Sequence, residues 1–600
     1  MAKRKNIPIK YTSRDFRKIK EDLIQHAKRY YPNEFRDFSE ASFGSLLLDS
    51  VSYVGDVMSF YLDYQVNESF IDSAIEYDNI RRHARTLGYK YRGSKCAFGT
   101  VQLFVIVPSN SDGTAPDFAY IPVLKSGARF SSTSGVRFTL TEDVNFSNPK
   151  NDVIAARFDS NTGATTYYAV RAHAQVKSGV LAYVDVDLTE DDHQRFKRVY
   201  IGDSNISEIA SVYDNDGNEY YEVDYLTQEV IFREMTNPNA ASDGVRSILK
   251  PYIAARRFTV TQDESGTYLQ FGFGSEDDSE TTGLVDPSRA ALKMHAKRSI
   301  TTTKFDPSKL LTTNKLGISP SGKRLRILFR SNETVFTSVP ANTVSTVVSS
   351  KFDFENEITL NSGLVAEVRD SIEVTNDSPI TGDSDTLTRD EIRLRARSYF
   401  ATQGRAVTAQ DYESLVYNMP PKYGGVMRVA IVNDPSSSNR RLSMYVISVD
   451  DNEHLIKTSG VTKNNIKNYL SEQKSMNDVI DILDAKVVNF GIKYSVTSAP
   501  TFNSNAVMTE INDRVLDHYE DKLYIGEPIY ISELYNIINK TRGVVDVKKV
   551  EIENKTGINY SSNTLDIYNS MSKDGTYIKV PRDVIMELKY PNLDIKGTIK

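Results

Sequence analysis

The residues that could do chemistry are few and scattered. The seven histidines, His26, His83, His173, His193, His295, His454 and His518, never fall at the spacing of a His-Glu-x-x-His helix or a short ligand pair. Isolated histidines in a chain of this size read as surface residues. Cys96 is the only cysteine, so neither an internal disulfide nor a thiolate metal cage can be built. The segment Gly317-Ile318-Ser319-Pro320-Ser321-Gly322-Lys323-Arg324 matches a phosphate-binding loop up to its last position. There a Ser or Thr must hold magnesium, and Arg324 stands instead; a strand-like segment follows where a helix is required. Gly272-Phe273-Gly274 starts a dinucleotide fingerprint, but Asp277 replaces its third glycine and no helical pattern follows. Asp214 to Glu219 has the composition of a calcium loop with Val212 at the first ligand position. The runs Glu190-Asp191-Asp192 and Glu276-Asp277-Asp278 read as solvated loops. No catalytic residue, cofactor site or metal site is expected, and the chain reads as a non-enzyme.

One pattern stands out instead. Between about Ser42 and Gln65, Leu47, Val51, Val54, Met58 and Tyr61 form an apolar stripe at alternating spacings of four and three. Leu46, Tyr53, Val57, Phe60 and Tyr64 form a second stripe beside it, and Ser45, Asp49, Ser52, Asp56, Ser59 and Asp63 a narrow polar line. A helix of a lone domain usually has one apolar stripe and a broad polar face. The larger apolar share here predicts a helix packed on most sides in a bundle, with helices of other chains helping to cover it. The Asp49, Asp56 and Asp63 line reads first as a strip facing water, and in the alternative as a polar seam fixing register against a basic helix. Carboxylates seven residues apart lie about 10 Å apart along a helix, too far for a shared metal.

The elements around this helix follow from local signals. Thr12 and Asp15 have capping-box spacing ahead of Phe16, Ile19, Leu23, Ala27 and Tyr30, and Pro32 ends that helix. Ile80, Ala84 and Leu87 share a face of a third helix that stops at Gly88. From about Phe98 the texture is strands and turns. Val101, Leu103, Val105 and Val107 alternate, a strand pair surrounds Ser134-Gly135, and Asp214 to Asn218 is a turn between strands. Thr388 with Glu391, and Thr408 with Asp411, cap two short helices. Beyond them strands near Met427 to Val432, Met444 to Val449 and from Val487 alternate with helices near Lys463 to Leu470, Met508 to Leu523 and Glu533 to Lys540; Gly543 closes the last. The fold class is α+β multidomain: an N-terminal helical segment (1–95), a central β-rich domain with large loops (96–300), a linker (301–322), a β-rich and helical core (323–425) and C-terminal α+β modules (426–600).

Bulk properties bound the function. The 600 residues carry 73 Lys and Arg against 79 Asp and Glu, a formal charge of −6, which argues against binding nucleic acid through its phosphates. A run of about 18 apolar residues is missing, so membrane insertion is not expected, and the single cysteine suits a reducing cytoplasm.

Three stretches resemble the baseplate J-like family, in particular the large wedge proteins of myovirus baseplates. One is Ser42-Phe43-Gly44-Ser45-Leu46-Leu47-Leu48-Asp49 running on to Leu87-Gly88-Tyr89; another is Ile121-Pro122 with Gly127-Ala128-Arg129-Phe130 and Gly135-Val136-Arg137-Phe138. The third and most specific is the signature turn Gly404-Arg405-Ala406-Val407-Thr408-Ala409-Gln410-Asp411-Tyr412-Glu413, in which Tyr412 is placed to pack back on a sheet. Gly526-Glu527-Pro528-Ile529 through Gly543-Val544 is similar to the family's C-terminal module, whereas Phe271-Gly272-Phe273-Gly274 lacks the acidic residue that many smaller relatives place between the glycines.

The resemblance implies a virion protein of the contractile-tail baseplate, assembled in the host cytoplasm. It implies a wedge subunit that links wedges into a ring around the hub and rearranges when the sheath contracts. It implies self-association as a homodimer through the C-terminal modules, contacts with other wedge subunits, and no nucleic-acid partner. Two other readings stand beside it: the equivalent subunit of a tail-derived injection machine, and a carbohydrate-binding adhesin built on the β-rich region.

Overall fold

The computed structural model describes residues 15–30, 42–90, 95–160, 164–190, 194–202, 206–237, 247–263, 266–274, 316–332, 337–382, 387–433, 441–450, 452–519 and 522–599. Helices of eight or more residues run in chain order as α1 (Phe16–Tyr30), α2 (Phe43–Glu68), α3 (Tyr77–Thr86), α4 (Ser362–Asp370), α5 (Arg389–Thr402), α6 (Ala409–Tyr417), α7 (Gly460–Ser471), α8 (Ser504–His518) and α9 (Ile531–Asn539). The fold is α+β and multidomain, and the chain divides into two compact units: Met1–Tyr91 with Leu387–Gly404, and Arg92–Thr386 with Arg405–Lys600.

The first unit is helical. Ser42 is extended, and its hydroxyl accepts from the Ser45 amide at 3.1 Å, starting α2 where the sequence places it. Helix α3 ends at Gly88, whose φ of 88° is open to glycine, and the Tyr89 amide donates to the Ala84 carbonyl at 3.0 Å. Thr12 and Pro32, to which the start and end of α1 were assigned, lie outside the described residues. The face of α3 that carries Ile80 and Ala84 packs on Ile392 and Ala396 of α5, all four fully buried. Residues 387–404 therefore complete the helical unit, although sequence texture had grouped them with 323–425. A short amphipathic helix needs an apolar surface to lie on, and in the first unit α3 supplies it.

The second unit holds two seven-stranded sheets and a C-terminal α+β region. In the first sheet the strands run in the order Val344–Ser349, Arg129–Ser132, Arg137–Leu140, Thr165–Ser178, Phe98–Pro108, Glu373–Thr375, with Asp152–Phe158 beside Thr165–Ser178. Val101, Leu103, Val105 and Val107 are all fully buried on its inner face, as their alternation requires. The hairpin at Ser134-Gly135 pairs Phe130 with Phe138, and Gly135 takes a φ of 85°.

The second sheet runs Val180–Asp187, Arg324–Ser331, Ile206–Asp214, Glu219–Glu222, Arg257–Asp263, Gly266–Phe271, Arg198–Gly202. This order corrects the expected boundaries. Arg324–Ser331 lies between strands from the 180s and 210s, so divisions at 300 and 323 cut one sheet. Strands 344–349 and 373–375 belong to the first sheet, so the second is an insertion within it. Most of the proposed linker lies outside the described residues, but its end is packed, with Ile318 and Ser319 buried. Sheet order depends on long-range pairing that local texture does not carry.

In the C-terminal region Lys486–Ser498 is the central strand, flanked by Val544–Asn554 and by the parallel strands Val584–Glu587 and Ile595–Ile599. Helices α8 and α9 bury Val507, Ile511, Val515, Leu534 and Ile538 on it.

Candidate functional site

Helix α2 inverts the usual arrangement. Its buried residues are Ser45, Ser52, Ser59 and Glu68, and none is apolar. Leu47, Val51, Val54, Met58 and Tyr61 are all exposed, from 49% to 64%. Leu46, Tyr53 and Phe60 of the second stripe are exposed as well, as are Phe43, Leu62 and Val66. The uncovered apolar surface thus wraps roughly 240° of the helix at 100° per residue. Contiguous apolar surface of this extent marks an interaction site.

The polar line does not face water as its composition suggested. Around Asp49 and Gly55 it lies against α1, and Asp49, Asp56 and Asp63 are all half-buried. Asp49 meets the ammonium of Lys20 at 2.6 Å. A Cβ on Gly55 would sit 3.4 Å from Ile19 Cδ1, so glycine and the serines let the two helices approach closely. At Asp49 the basic partner is thus supplied from within the chain. Small side chains accept α1 on one face, which leaves the bulky apolar ones pointing elsewhere.

The end of α2 is held by groups with no distinctive sequence signal. The Glu68 side chain accepts from the Ile75 amide at 2.6 Å, from the Glu76 amide at 3.3 Å and from Asn79 Nδ2 at 2.9 Å. It caps α3, whose own N-cap residue Glu76 makes no side-chain cap. Burial pushes the Glu68 carboxyl up, but the hydrogen bonds from Asn79, Ile75 and Glu76 outweigh it and hold the group below its ordinary value. Arg393 of α5 donates Nε to the Ile71 carbonyl at 2.8 Å and also reaches the Ala74 carbonyl and Asp390. Arg397 pairs with Asp72.

The signature turn is a structural anchor in the second unit. Thr408 Oγ1 accepts from the Asp411 amide at 3.3 Å, and Asp411 Oδ2 accepts from the Thr408 and Val407 amides at 2.8 Å and 3.1 Å. Arg405 and Val407 are exposed, while Ala406 is buried and its amide donates to the Gln473 carbonyl. Tyr412 is buried as well, and its hydroxyl donates to Asp478 Oδ2 at 2.8 Å. Burial, followed by the Asp478 carboxylate, pushes this phenol up to about 12.

The near-miss motifs resolve into packing. Gly272 and Gly317 let two backbones touch: a Cβ on Gly272 would lie 2.1 Å from the Gly317 carbonyl oxygen. The strand Arg324–Ser331 follows Gly317, with no helix to receive phosphate. Asp214 Oδ1 accepts from the amides of Asp216 and Asn218, so this carboxylate closes its own turn. Asp191, Asp192 and Glu276 to Asp278 lie outside the described residues. Among the described residues no group of three or more His, Cys, Asp and Glu could hold a metal ion, and no helix is long and apolar enough to cross a membrane.

Comparison with known proteins bears on the same helices. Residues 13–86 match the family model described as the bacteriophage baseplate protein, N-terminal domain. Among curated proteins none matches the chain. A chain of the anti-feeding prophage (AFP) baseplate, solved by cryo-electron microscopy, aligns at 10% identity over 96% of this chain and 98% of its own, with a TM-score of 0.26. A chain of the type VI secretion system TssK-TssF-TssG baseplate subcomplex aligns at 8% identity over 74% of this chain and 96% of its own, with a TM-score of 0.23. TM-scores this low carry no argument. The family match spans α1, α2 and α3 and ends at Thr86, the last residue of α3. Helix α2, which exposes the apolar stripes, thus lies within the segment that matches the N-terminal domain of bacteriophage baseplate proteins, and this match supports a baseplate protein.

Proposed function

We propose that this chain is a structural wedge subunit of a contractile-tail baseplate and has no catalytic role. In this reading it links wedges into the ring around the central hub and rearranges when the sheath contracts. Its partners are further copies of itself and other wedge subunits, joined in part through α2. The observation that carries the reading is that α2 buries its serines and exposes its apolar side chains, within the segment that matches the baseplate family.

Magnitudes say how much of α2 must be used. Fully burying one Val, Leu, Met or aromatic side chain is worth about 1.5–3 kcal/mol. The five residues of the first stripe are already about half covered, so their further burial gives roughly 4–8 kcal/mol. Association costs roughly 4–15 kcal/mol. One stripe therefore exceeds only the low end of that cost, and burying both stripes brings the gain well into its range.

Quantitative mass spectrometry of purified intact particles tests the reading, with this chain measured against the tail sheath protein. A fixed ratio that is a multiple of the baseplate symmetry is the expected result. Absence from the particles would remove the proposal.

A further inference from the structure

The buried side of α2 is a repeat of three heptads: Ser45-Leu46-Leu47-Leu48-Asp49-Ser50-Val51, Ser52-Tyr53-Val54-Gly55-Asp56-Val57-Met58 and Ser59-Phe60-Tyr61-Leu62-Asp63-Tyr64-Gln65. Each opens on a serine, has Leu or Gly three residues on, and places an aspartate at the fifth position. An exact seven-residue repeat keeps one seam facing a neighbour along a supercoiled helix pair. The three aspartates are about 10 Å apart along the axis. Asp49, Asp56, Asp63 and Glu68 are the only charged residues of α2, and the helix has no Lys or Arg.

Helix α1 satisfies this seam only in part. Lys20 reaches Asp49. Among the described residues, Asp56 Oδ1 and the hydroxyl of Ser59 are buried without a hydrogen-bond partner, and Ser59 is 5% exposed. Leaving such groups unpaired is unfavourable, and more so for a charge. Helical phase places Asp49 and Asp56 on the side of the seam that leads to Leu46, Tyr53 and Phe60, three exposed apolar residues that also recur every seven. A second helix laid along Leu46, Tyr53 and Phe60 would run beside the aspartate row.

We propose that the occupant of this flank is a helix of another subunit that carries Lys or Arg at seven-residue intervals beside an apolar stripe, with Asp56 and Asp63 taking its cations. This rests on the reading of α2 as an interface and adds the chemistry of the partner. The aspartates set the register of the incoming helix, and apolar contact supplies most of the affinity.

The test uses the full chain and three synthetic helical peptides with one apolar heptad stripe, identical except for Lys, Gln or Glu at the flanking heptad position. Binding is followed by fluorescence anisotropy at low and high salt. The Lys peptide is expected to bind about tenfold tighter than the Glu peptide, with a margin that shrinks in salt. In Asp56→Asn with Asp63→Asn the margin should fall to near unity while the Gln peptide binds as before. Equal binding of all three peptides to the unaltered chain overturns the cation inference and leaves the interface reading standing. Failure of every peptide, Gln included, overturns both.

Discussion

Glu68→Gln probes how the exposed helix is held. Glu68 is 4% exposed and accepts from two backbone amides and from Asn79. Glutamine keeps one acceptor oxygen but turns its amide NH2, a donor, toward groups that are themselves donors. Hydrogen bonds to a charged acceptor are worth about 1.5–3 kcal/mol, and a lost helix cap about 1 kcal/mol. With one acceptor retained, the substitution should weaken the α2–α3 junction by roughly 2–3 kcal/mol. Amide hydrogen exchange on the full chain reads this locally, as faster exchange at Ile75, Glu76 and the first turn of α3. The pH dependence gives a second readout. A carboxyl held below its ordinary value in the folded state stabilises above its unfolded pKa of about 4.3, and that contribution is lost as pH falls through the folded value. The difference between parent and variant should therefore be full at neutral pH and shrink below pH of about 4. Unchanged exchange at Ile75 and Glu76, or a difference that stays constant into acid, would refute the reasoning.

Three further outcomes are expected. Val54→Asp with Met58→Asp alters side chains already in water, so the melting of the isolated chain should move by less than about 1 kcal/mol equivalent; co-purification with partner subunits should disappear, and normal complex formation would remove α2 from the interface. Arg393→Ala leaves the Ile71 and Ala74 carbonyls without their donor; it should loosen residues 71–77 by about 2–4 kcal/mol, seen as protease cleavage there, and resistance equal to the parent would count against the latch. Tyr412→Phe removes the hydroxyl that faces Asp478 and should cost about 1.5–3 kcal/mol in denaturant unfolding. Because this phenol is pushed up to about 12 in the fold, its contribution is complete below the unfolded value and lost as pH rises through the folded one. The parent should lose stability above a pH of about 10, and the variant less steeply; parallel pH profiles would exclude Tyr412 as the source.

Local signals were legible wherever a few neighbouring residues decide the outcome. The cap at Thr408 and Asp411 formed as written, because serines, threonines and aspartates satisfy the open amides of a helix start within one turn. Gly88, Gly135 and Gly543 took the positive φ their positions implied. The bulk and spacing of apolar residues also marked α2 as a helix unable to cover itself. Which of its faces turns inward was decided by packing: α1 approaches the row of small residues, and so the aspartates lie half-buried while Val54 and Met58 meet solvent. Tertiary structure alone also placed Arg324–Ser331 in the middle of the second sheet. It likewise returned α5 to the N-terminal helices, with Arg393 meeting carbonyls more than three hundred positions earlier in the chain. Caps and turns are settled within a few residues, whereas strand neighbours and helix faces are chosen by contacts whose distance along the chain no local pattern records.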